Sequence, residues 1–429
     1  MTLNTHSPLL REFEWRGLIS DVTSPQELDA HLAEGPRSIY CGFDPTADSL
    51  HVGSLLPLLA LRRVQLAGHR PIVLIGGGTG LIGDPSGKAG ERALNPEARV
   101  AEWADRLKGQ VERYLEWGRG ATAAVLVDNY EWLSKLEVIP FLRDTGKHFS
   151  VGSMVARESV RARMGRGEAG ISYTEFSYQV LQAYDFLCLY RRYGCTMQIG
   201  GSDQWGNITA GTDLIRRVTG GTAFGLTLPL VAKADGTKFG KTESGTVWLD
   251  AGKTSAYDMH QFWLNTADAD VVAFLKYFTF LRRDEIATLE AEVRRHPERR
   301  EAQRALARET TTLVHGADAA SEAETIGTSL RITPPAGSLD LTGTAPDLVV
   351  GGAVPGAVLP AEAAAWPLWK VLRRAELVPS TSEARRLIQQ GGVEVDGHRA
   401  VDANRVLSPG GHTVKLGKRR VFRLTIEKS

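Results

Sequence analysis

Pro71-Ile72-Val73-Leu74-Ile75, leading on to Gly78-Thr79-Gly80-Leu81-Ile82-Gly83, is the stretch that decides the fold. A run with no polar side chain leaves no solvent face, as a central strand of a parallel sheet requires when helices cover both its sides. Upstream, Ser38–Phe43 reads as another short strand, and the apolar run Leu55–Ala67 between the two reads as a helix. Downstream, Ala123–Val127, Thr196–Ile199 and Leu226–Val231 have strand character, while Pro96–Trp117 and Thr174–Tyr193 have helical patterns. Strands alternating with long helices predict an open, doubly wound α/β domain over residues 1–232, with ligands at the carboxyl ends of the strands.

Beyond a loop and connector at 233–253, residues 254–316 are rich in Ala, Leu, Glu and Arg and read as a helical domain, its longest run divided by Pro297. Gly, Pro, Ala, Ser and Thr dominate 317–365 and predict a linker. The tail, 366–429, resumes with helices at Pro367–Ala375 and Thr381–Gln390, then Val393–Gly397 heading into strands. There is no internal repeat.

The 429 residues, 42% hydrophobic and 24% charged, suffice for sizeable cores and exclude disordered and fibrous classes. Cys41, Cys188 and Cys195, an odd number without metal-ligand spacing, exclude a disulfide framework and fit a reducing cytoplasm. Arg11, Glu12, Glu14 and Arg16 interrupt the N-terminus, and no apolar run reaches the length of a membrane span. A cytoplasmic, soluble protein is therefore expected. The net charge of +1 hides an asymmetry, because residues 366–429 hold 13 Lys or Arg against 6 Asp or Glu. A tail at +7 beside a body at −6 points the tail toward a polyanion, nucleic acid first.

Gly78–Gly83 satisfies G-x-G-x-x-G, but a dinucleotide site needs a helix to start inside the motif so that free N–H groups meet the pyrophosphate. Asp84-Pro85-Ser86-Gly87 opposes such a helix. The glycines instead predict a floor that brings backbone close to a ligand, with Asp84 at its lip for an ammonium and Lys88 for phosphate. Residues 40–54, Tyr-Cys-Gly-Phe-Asp-Pro-Thr-Ala-Asp-Ser-Leu-His-Val-Gly-Ser, place polar groups at a strand's carboxyl end and at the entrance to the next helix, where a triphosphate would dock.

Within that stretch, His51-Val52-Gly53-Ser54 resembles the HIGH signature of class I aminoacyl-tRNA synthetases. Lys238-Phe239-Gly240-Lys241-Thr242 stands where that family has KMSKS, and Gly200–Trp205 follows a strand as its nucleoside-binding motif does. Tyr40–Asp44, Gly80–Lys88 and the residues from Phe176 to Asp185 resemble the bacterial tyrosyl-tRNA synthetases in particular, the similarity running from about residue 10 to 316. The resemblance implies a Rossmann-like catalytic domain that activates L-tyrosine with ATP, accompanied by Mg2+, and passes the tyrosyl group to tRNA(Tyr). No tightly bound, protein-ligated metal is expected.

The same resemblance assigns Tyr40 and Asp185 to the substrate phenol, Asp84, Tyr178 and Gln182 to its ammonium, and Gln198 and Gln204 to the carboxylate side. The spacing i, i+4, i+7 of Tyr178, Gln182 and Asp185 independently puts these three on one helix face. For catalysis it implies Thr46, His51, Lys238, Lys241 and Thr242. For the nucleotide it implies Cys41, Gly42, Asp44, Gly53, Ser54, Lys88, Gly201, Asp203 and Lys241. It also implies a homodimer with Phe141–Arg157 near the interface.

Three departures stand out. Ser54 replaces the signature's second histidine. Pro57, six residues after His51, predicts a helix that begins near Ser54 or bends there. Phe239-Gly240 replaces Met-Ser while both lysines keep their spacing.

Pro367–Ile426 resembles the S4 RNA-binding domain, through Ser382–Ile388 and Gly391–Gly397. Arg385, Arg386, Lys418, Arg419 and Arg420 are its candidate phosphate contacts. Few aromatics interleave these charges, so backbone and shape recognition is expected ahead of base stacking. The alternatives are a tryptophan-specific member of the class, disfavoured by the pairing of Tyr40 with Asp185, a dinucleotide-dependent oxidoreductase, disfavoured by the broken helix after Gly83, and a noncatalytic RNA-binding protein.

Overall fold

The computed structural model describes residues 5–86, 94–156, 160–161, 171–232, 234, 239–242, 245–329, 356–378, 380–417 and 420–428. For 241, 242, 327–329, 356 and 420 only the backbone is described. Contacts divide the chain into two units, Met1–Asp250 with Ala273–Phe280, and Ala251–Val272 with Leu281–Ser429.

The first unit is built on a six-stranded sheet of β1 (Asp21–Val22), β2 (Ser38–Phe43), β3 (Arg70–Ile75), β4 (Val125–Asp128), β5 (Cys195–Gly201) and β6 (Phe224–Leu228), in the order β1-β6-β5-β2-β3-β4. All neighbours are parallel except the edge pair β1–β6. Every residue of β3 from Pro71 to Ile75 is buried, as its apolar run requires. Connectivity reverses direction between β5 and β2, so a crevice opens at their carboxyl ends.

Differences from expectation have local causes. The fourth strand starts at Val125 because the N–H groups of Ala123 and Ala124 donate to the carbonyls of Gly120 and Glu116 in the preceding turn. β1 and the helices Pro8–Arg16 and Pro25–Ala33 were not anticipated, although Ser7-Pro8 and Ser24-Pro25 are helix-start pairs. The helix after β2 runs Val52–Leu66 with Pro57 inside it. Its start is therefore Val52 and not Ser54, because the His51 imidazole caps it by accepting the Gly53 N–H at 3.0 Å.

In the second unit, helices Ala256–Leu264, Arg283–Arg295 and Glu301–His315 form the expected helical region, and a short turn at Pro297–Arg299 separates the last two. Residues 317–329, expected to open the linker, form instead the helix Ala317–Ser329, whose Ala320, Ala323 and Ile326 are buried at helical spacing. At its other end, Gly356–Leu359 is also a correction to the linker, since it pairs as a parallel strand with Arg420–Ile426. The linker between, 330–355, lies outside the described residues. The tail folds as helices Leu368–Arg374 and Thr381–Gln389 beside a five-stranded sheet. Among the described residues, no helix is long and apolar enough to cross a membrane.

Candidate active site

A cavity of about 440 Å³ lies at the carboxyl ends of β2 and β5. One end of it is closed by Tyr40 and Asp185, each about 1% exposed. Asp185 Oδ2 accepts a hydrogen bond from Asn129 Nδ2 at 2.8 Å and Oδ1 accepts one from Trp132 Nε1 at 2.7 Å. Burial pushes the Asp185 carboxyl up to about 8. The two N–H donors pull it down, while the nearby carboxylates of Asp44 and Asp128 push the same way as burial. Burial, then Asp185, likewise raises the Tyr40 phenol well above its ordinary range. The Tyr40 hydroxyl has no hydrogen-bond partner among the described residues.

From Asp185 a chain of hydrogen bonds leads along the cavity wall. Asn129 Nδ2 also donates to Thr79 Oγ1 at 2.8 Å, the Thr79 hydroxyl donates to Asp44 Oδ1 at 2.8 Å, and the Tyr178 hydroxyl donates to Asp44 Oδ2 at 2.7 Å. Gly76 is required beside it, because a Cβ there would run into the Asp44 carboxylate. Asp84 Oδ2 accepts from Gln204 Nε2 at 2.6 Å and Oδ1 from the Ser86 N–H at 2.9 Å. Tyr178, Gln182 and Asp185 all border the cavity from the helix Tyr173–Tyr193, as their spacing predicted. The glycine motif holds a short 3-10 turn, Thr79–Leu81, and then Gly83 in the left-handed region. No α-helix starts within it, which removes the dinucleotide reading.

The other end is lined by Cys41, Gly42, His51, Gly53, Ser54, Gly201 and Asp203. His51, Gly42 and Asp203 are exposed. Burial pushes the Cys41 thiol up to about 12, so it is present as the neutral thiol. Thr46 is exposed and does not border the cavity.

Lys88 and Lys238 lie outside the described residues, as do the side chains of Lys241 and Thr242. The backbone of Lys241–Thr242 forms a hairpin with Gly245–Thr246. The chain on either side of it is tied to the His51 motif. Val247 N–H donates to the Gly240 carbonyl (2.9 Å), Val52 N–H to the Val247 carbonyl (2.9 Å) and Leu249 N–H to the Leu50 carbonyl (2.8 Å). Phe239 stacks on Phe278, ring centroids 5.4 Å apart, and meets Phe274 edge-on. Gly240 has φ +78°, and a Cβ there would press on Val52. That conformation accounts for glycine where the related motif carries serine.

Sequence reasoning missed Thr79, Asn129, Trp132 and Phe239 as site residues. Asn129 had a usable signal, since it immediately follows the carboxyl end of a strand of the parallel sheet. Among the described residues, no group of three or more His, Cys, Asp or Glu side chains is placed to hold a metal ion.

The family model described as tRNA synthetases class I (W and Y) matches residues 32–329, and the S4 domain model matches 366–412. The tyrosine–tRNA ligase of Bacillus caldotenax is 53% identical over 403 residues, 93% of this chain and 94% of the relative. The chain belongs to the class I tyrosyl-tRNA synthetases. That of Yersinia pestis is 49% identical over 405 residues, 94% of each chain. Among solved structures, the C-terminally truncated mitochondrial tyrosyl-tRNA synthetase of Aspergillus nidulans is 32% identical with a TM-score of 0.68, covering 75% of this chain and 94% of that one. Membership of the tyrosyl-tRNA synthetases sets aside the oxidoreductase and the noncatalytic RNA-binding protein.

Proposed function

We propose that the cavity binds L-tyrosine and ATP end to end, joins them as tyrosyl-adenylate, and then delivers the tyrosyl group to the 3' terminal ribose of tRNA(Tyr). One observation carries the reading. Tyr40 Oη, Gln182 Oε1 and Gln198 Oε1 are buried, border the same cavity, and have no hydrogen-bond partner among the described residues. A buried polar atom left unsatisfied costs about 1–3 kcal/mol, so three around one cavity mark a site completed by a polar ligand.

A tyrosine phenol donating to Asp185 and accepting from Tyr40 satisfies the closed end. Its ammonium then reaches Asp84, Tyr178 and Gln182, and its carboxylate lies toward Gln198 and Gln204. A site built to hydrogen-bond a hydroxyl rejects the analogue that lacks it, a rule for which this enzyme class is itself the standard illustration. Phenylalanine would leave Asp185 and Tyr40 without that partner.

In the first step a substrate carboxylate oxygen bonds to the α-phosphorus of ATP, and the bond to pyrophosphate breaks with its electron pair. In the second, a ribose hydroxyl attacks the acyl carbon and AMP leaves. Neither needs a strong base, so alignment and positive charge supply the catalysis. His51, at the N-terminus of Val52–Leu66, faces the nucleotide end with Cys41, Gly42, Asp44, Gly53, Ser54, Gly201 and Asp203. Lys88, Lys238, Lys241 and Thr242, with Thr46, are assigned to the phosphates. Mg2+ arrives as part of the ATP substrate, held by its phosphates. Arg385 and Arg386, with Lys418, Arg419 and Arg420, meet the tRNA in the cytoplasm.

A homodimer is part of the proposal. The helices Val138–Asp144 and Val151–Val155 expose Val138 (69%), Ile139 (73%) and Val151 (65%), an apolar patch that a second copy would cover. Ile139→Glu is expected to shift the sedimentation coefficient from that of a dimer toward that of a monomer, and an unchanged value removes this surface as the interface. ATP–pyrophosphate exchange, run separately with tyrosine, phenylalanine and tryptophan, tests the chemistry. Exchange with tyrosine alone is expected. Exchange driven by tryptophan, or by none of the three, overturns it.

A further inference from the structure

The basic tail carries two aromatic–cation pairs that the spacing of its charges did not reveal. The Arg385 guanidinium lies over the Trp369 ring, 4.6 Å from its centroid, and the Lys370 ammonium lies over the Trp366 ring at 4.3 Å. Both tryptophans are half-buried and pack against the module's own core, which includes Leu368, Val371 and Ile388. Trp369 is therefore fixed as a floor and not a mobile surface ring. Its backbone is pinned as well, since its N–H donates to the Ala403 carbonyl at 3.3 Å. Arg385 itself is exposed, leaving the side of the guanidinium away from the indole open to solvent. Lys370, Arg373 and Arg374 follow on the same short helix, with Arg386 beside Arg385 on the next.

We propose that Trp369 and the Arg385 guanidinium stacked on it form a two-layer platform for one unstacked base of the tRNA, while Lys370, Arg373, Arg374 and Arg386 take flanking phosphates. Single-stranded RNA is recognised by stacking its bases on aromatic rings and on guanidinium planes. A guanidinium already held over a fixed indole has lost its rotamer freedom before binding, so its outer face is preorganised. A pure phosphate contact has no use for that arrangement. The surrounding charge, +7 over residues 366–429, favours an RNA partner over an acidic-rimmed protein surface. This adds one base stack to a tail expected to read backbone and shape ahead of base stacking. It rests on tRNA being the second substrate of the synthetase.

The experiment uses the full-length protein, a tRNA(Tyr) transcript, filter binding across a potassium chloride series, and base-specific alkylation of the bound RNA. Arg385→Lys keeps the charge and removes the plane. It is expected to raise Kd about tenfold, within the range of a lost base stack, without changing the salt slope, and to expose one unpaired base to alkylation. Trp369→Phe should give a smaller loss at the same base. Arg386→Gln should instead lower the salt slope by about 0.7–0.9 and expose no base. Tyrosine-dependent exchange should be unchanged in all three. Wild-type affinity and wild-type base protection in Arg385→Lys overturn the proposal, as does a loss of affinity with no base newly reactive. If the unaltered protein binds no tRNA while its exchange activity is intact, the underlying tRNA reading fails first.

Discussion

At the Tyr40–Asp185 end of the cavity the polar groups are buried and their carboxylate is held by two side-chain donors, Asn129 and Trp132. At the His51 end Gly42, His51 and Asp203 are exposed, and the lining comes from a helix start and two strand ends. The closed end is buried, so each unpaired atom there is costly, and on the proposed reading discrimination between substrates follows. On the same reading the open end would bind the nucleotide by charge, which solvent and counter-ions share until it is filled. The proposed function thus puts selectivity and rate enhancement at opposite ends of one cavity.

Substitutions at the two ends should separate these roles. The largest effect is expected from Asp185→Ala, which strands the Asn129 and Trp132 donors. Each buried hydrogen-bonding group left unpaired costs about 1–3 kcal/mol, so two stranded donors and an unmatched substrate hydroxyl should together lower kcat/KM for tyrosine-dependent exchange by about a hundredfold or more. Next, His51→Ala should lower kcat by about a hundredfold while the KM for tyrosine stays near wild type. A tyrosine KM that moved with kcat would show that the two ends are not separable. Tyr40→Phe should be milder, a rise of about fivefold in the KM for tyrosine and a narrower preference over phenylalanine. Unchanged discrimination would take Tyr40 out of the phenol site.

The last prediction concerns the unliganded protein. The Asp185 carboxyl holds its proton up to about pH 8 in the fold, against an ordinary value of 3.8 once unfolded. Its contribution to stability is therefore complete below about pH 4 and is lost as pH rises through 8. Thermal melting followed across that window should show wild type falling relative to Asp185→Asn as pH increases. Parallel curves would mean that the carboxyl is ionised throughout.

Much of this was readable in the chain because it depends on local chemistry. The buried strand Pro71–Ile75 announced a parallel sheet, and the spacing of Tyr178, Gln182 and Asp185 placed them on one helix face. Thr79, Asn129 and Trp132 were hidden because their partners lie 35 to 56 residues away, at distances no local pattern encodes. The helix Ala317–Ser329 was missed for a different reason. Its small residues look like linker composition, and only burial of Ala320 and Ala323 reveals an apolar face. In the tail, the charges were counted correctly while the tryptophans beneath two of them went unnoticed.

The paired donors behind Asp185 also limit how the enzyme can be retooled. If the substrate phenol meets Asp185 as proposed, a ring with an azide, ketone or halogen at the para position has no use for that carboxyl. An apolar replacement leaves the Trp132 indole N–H and one hydrogen of the Asn129 amide without an acceptor. Apolar substitutions at 185 should therefore be better tolerated when positions 129 and 132 are varied with them.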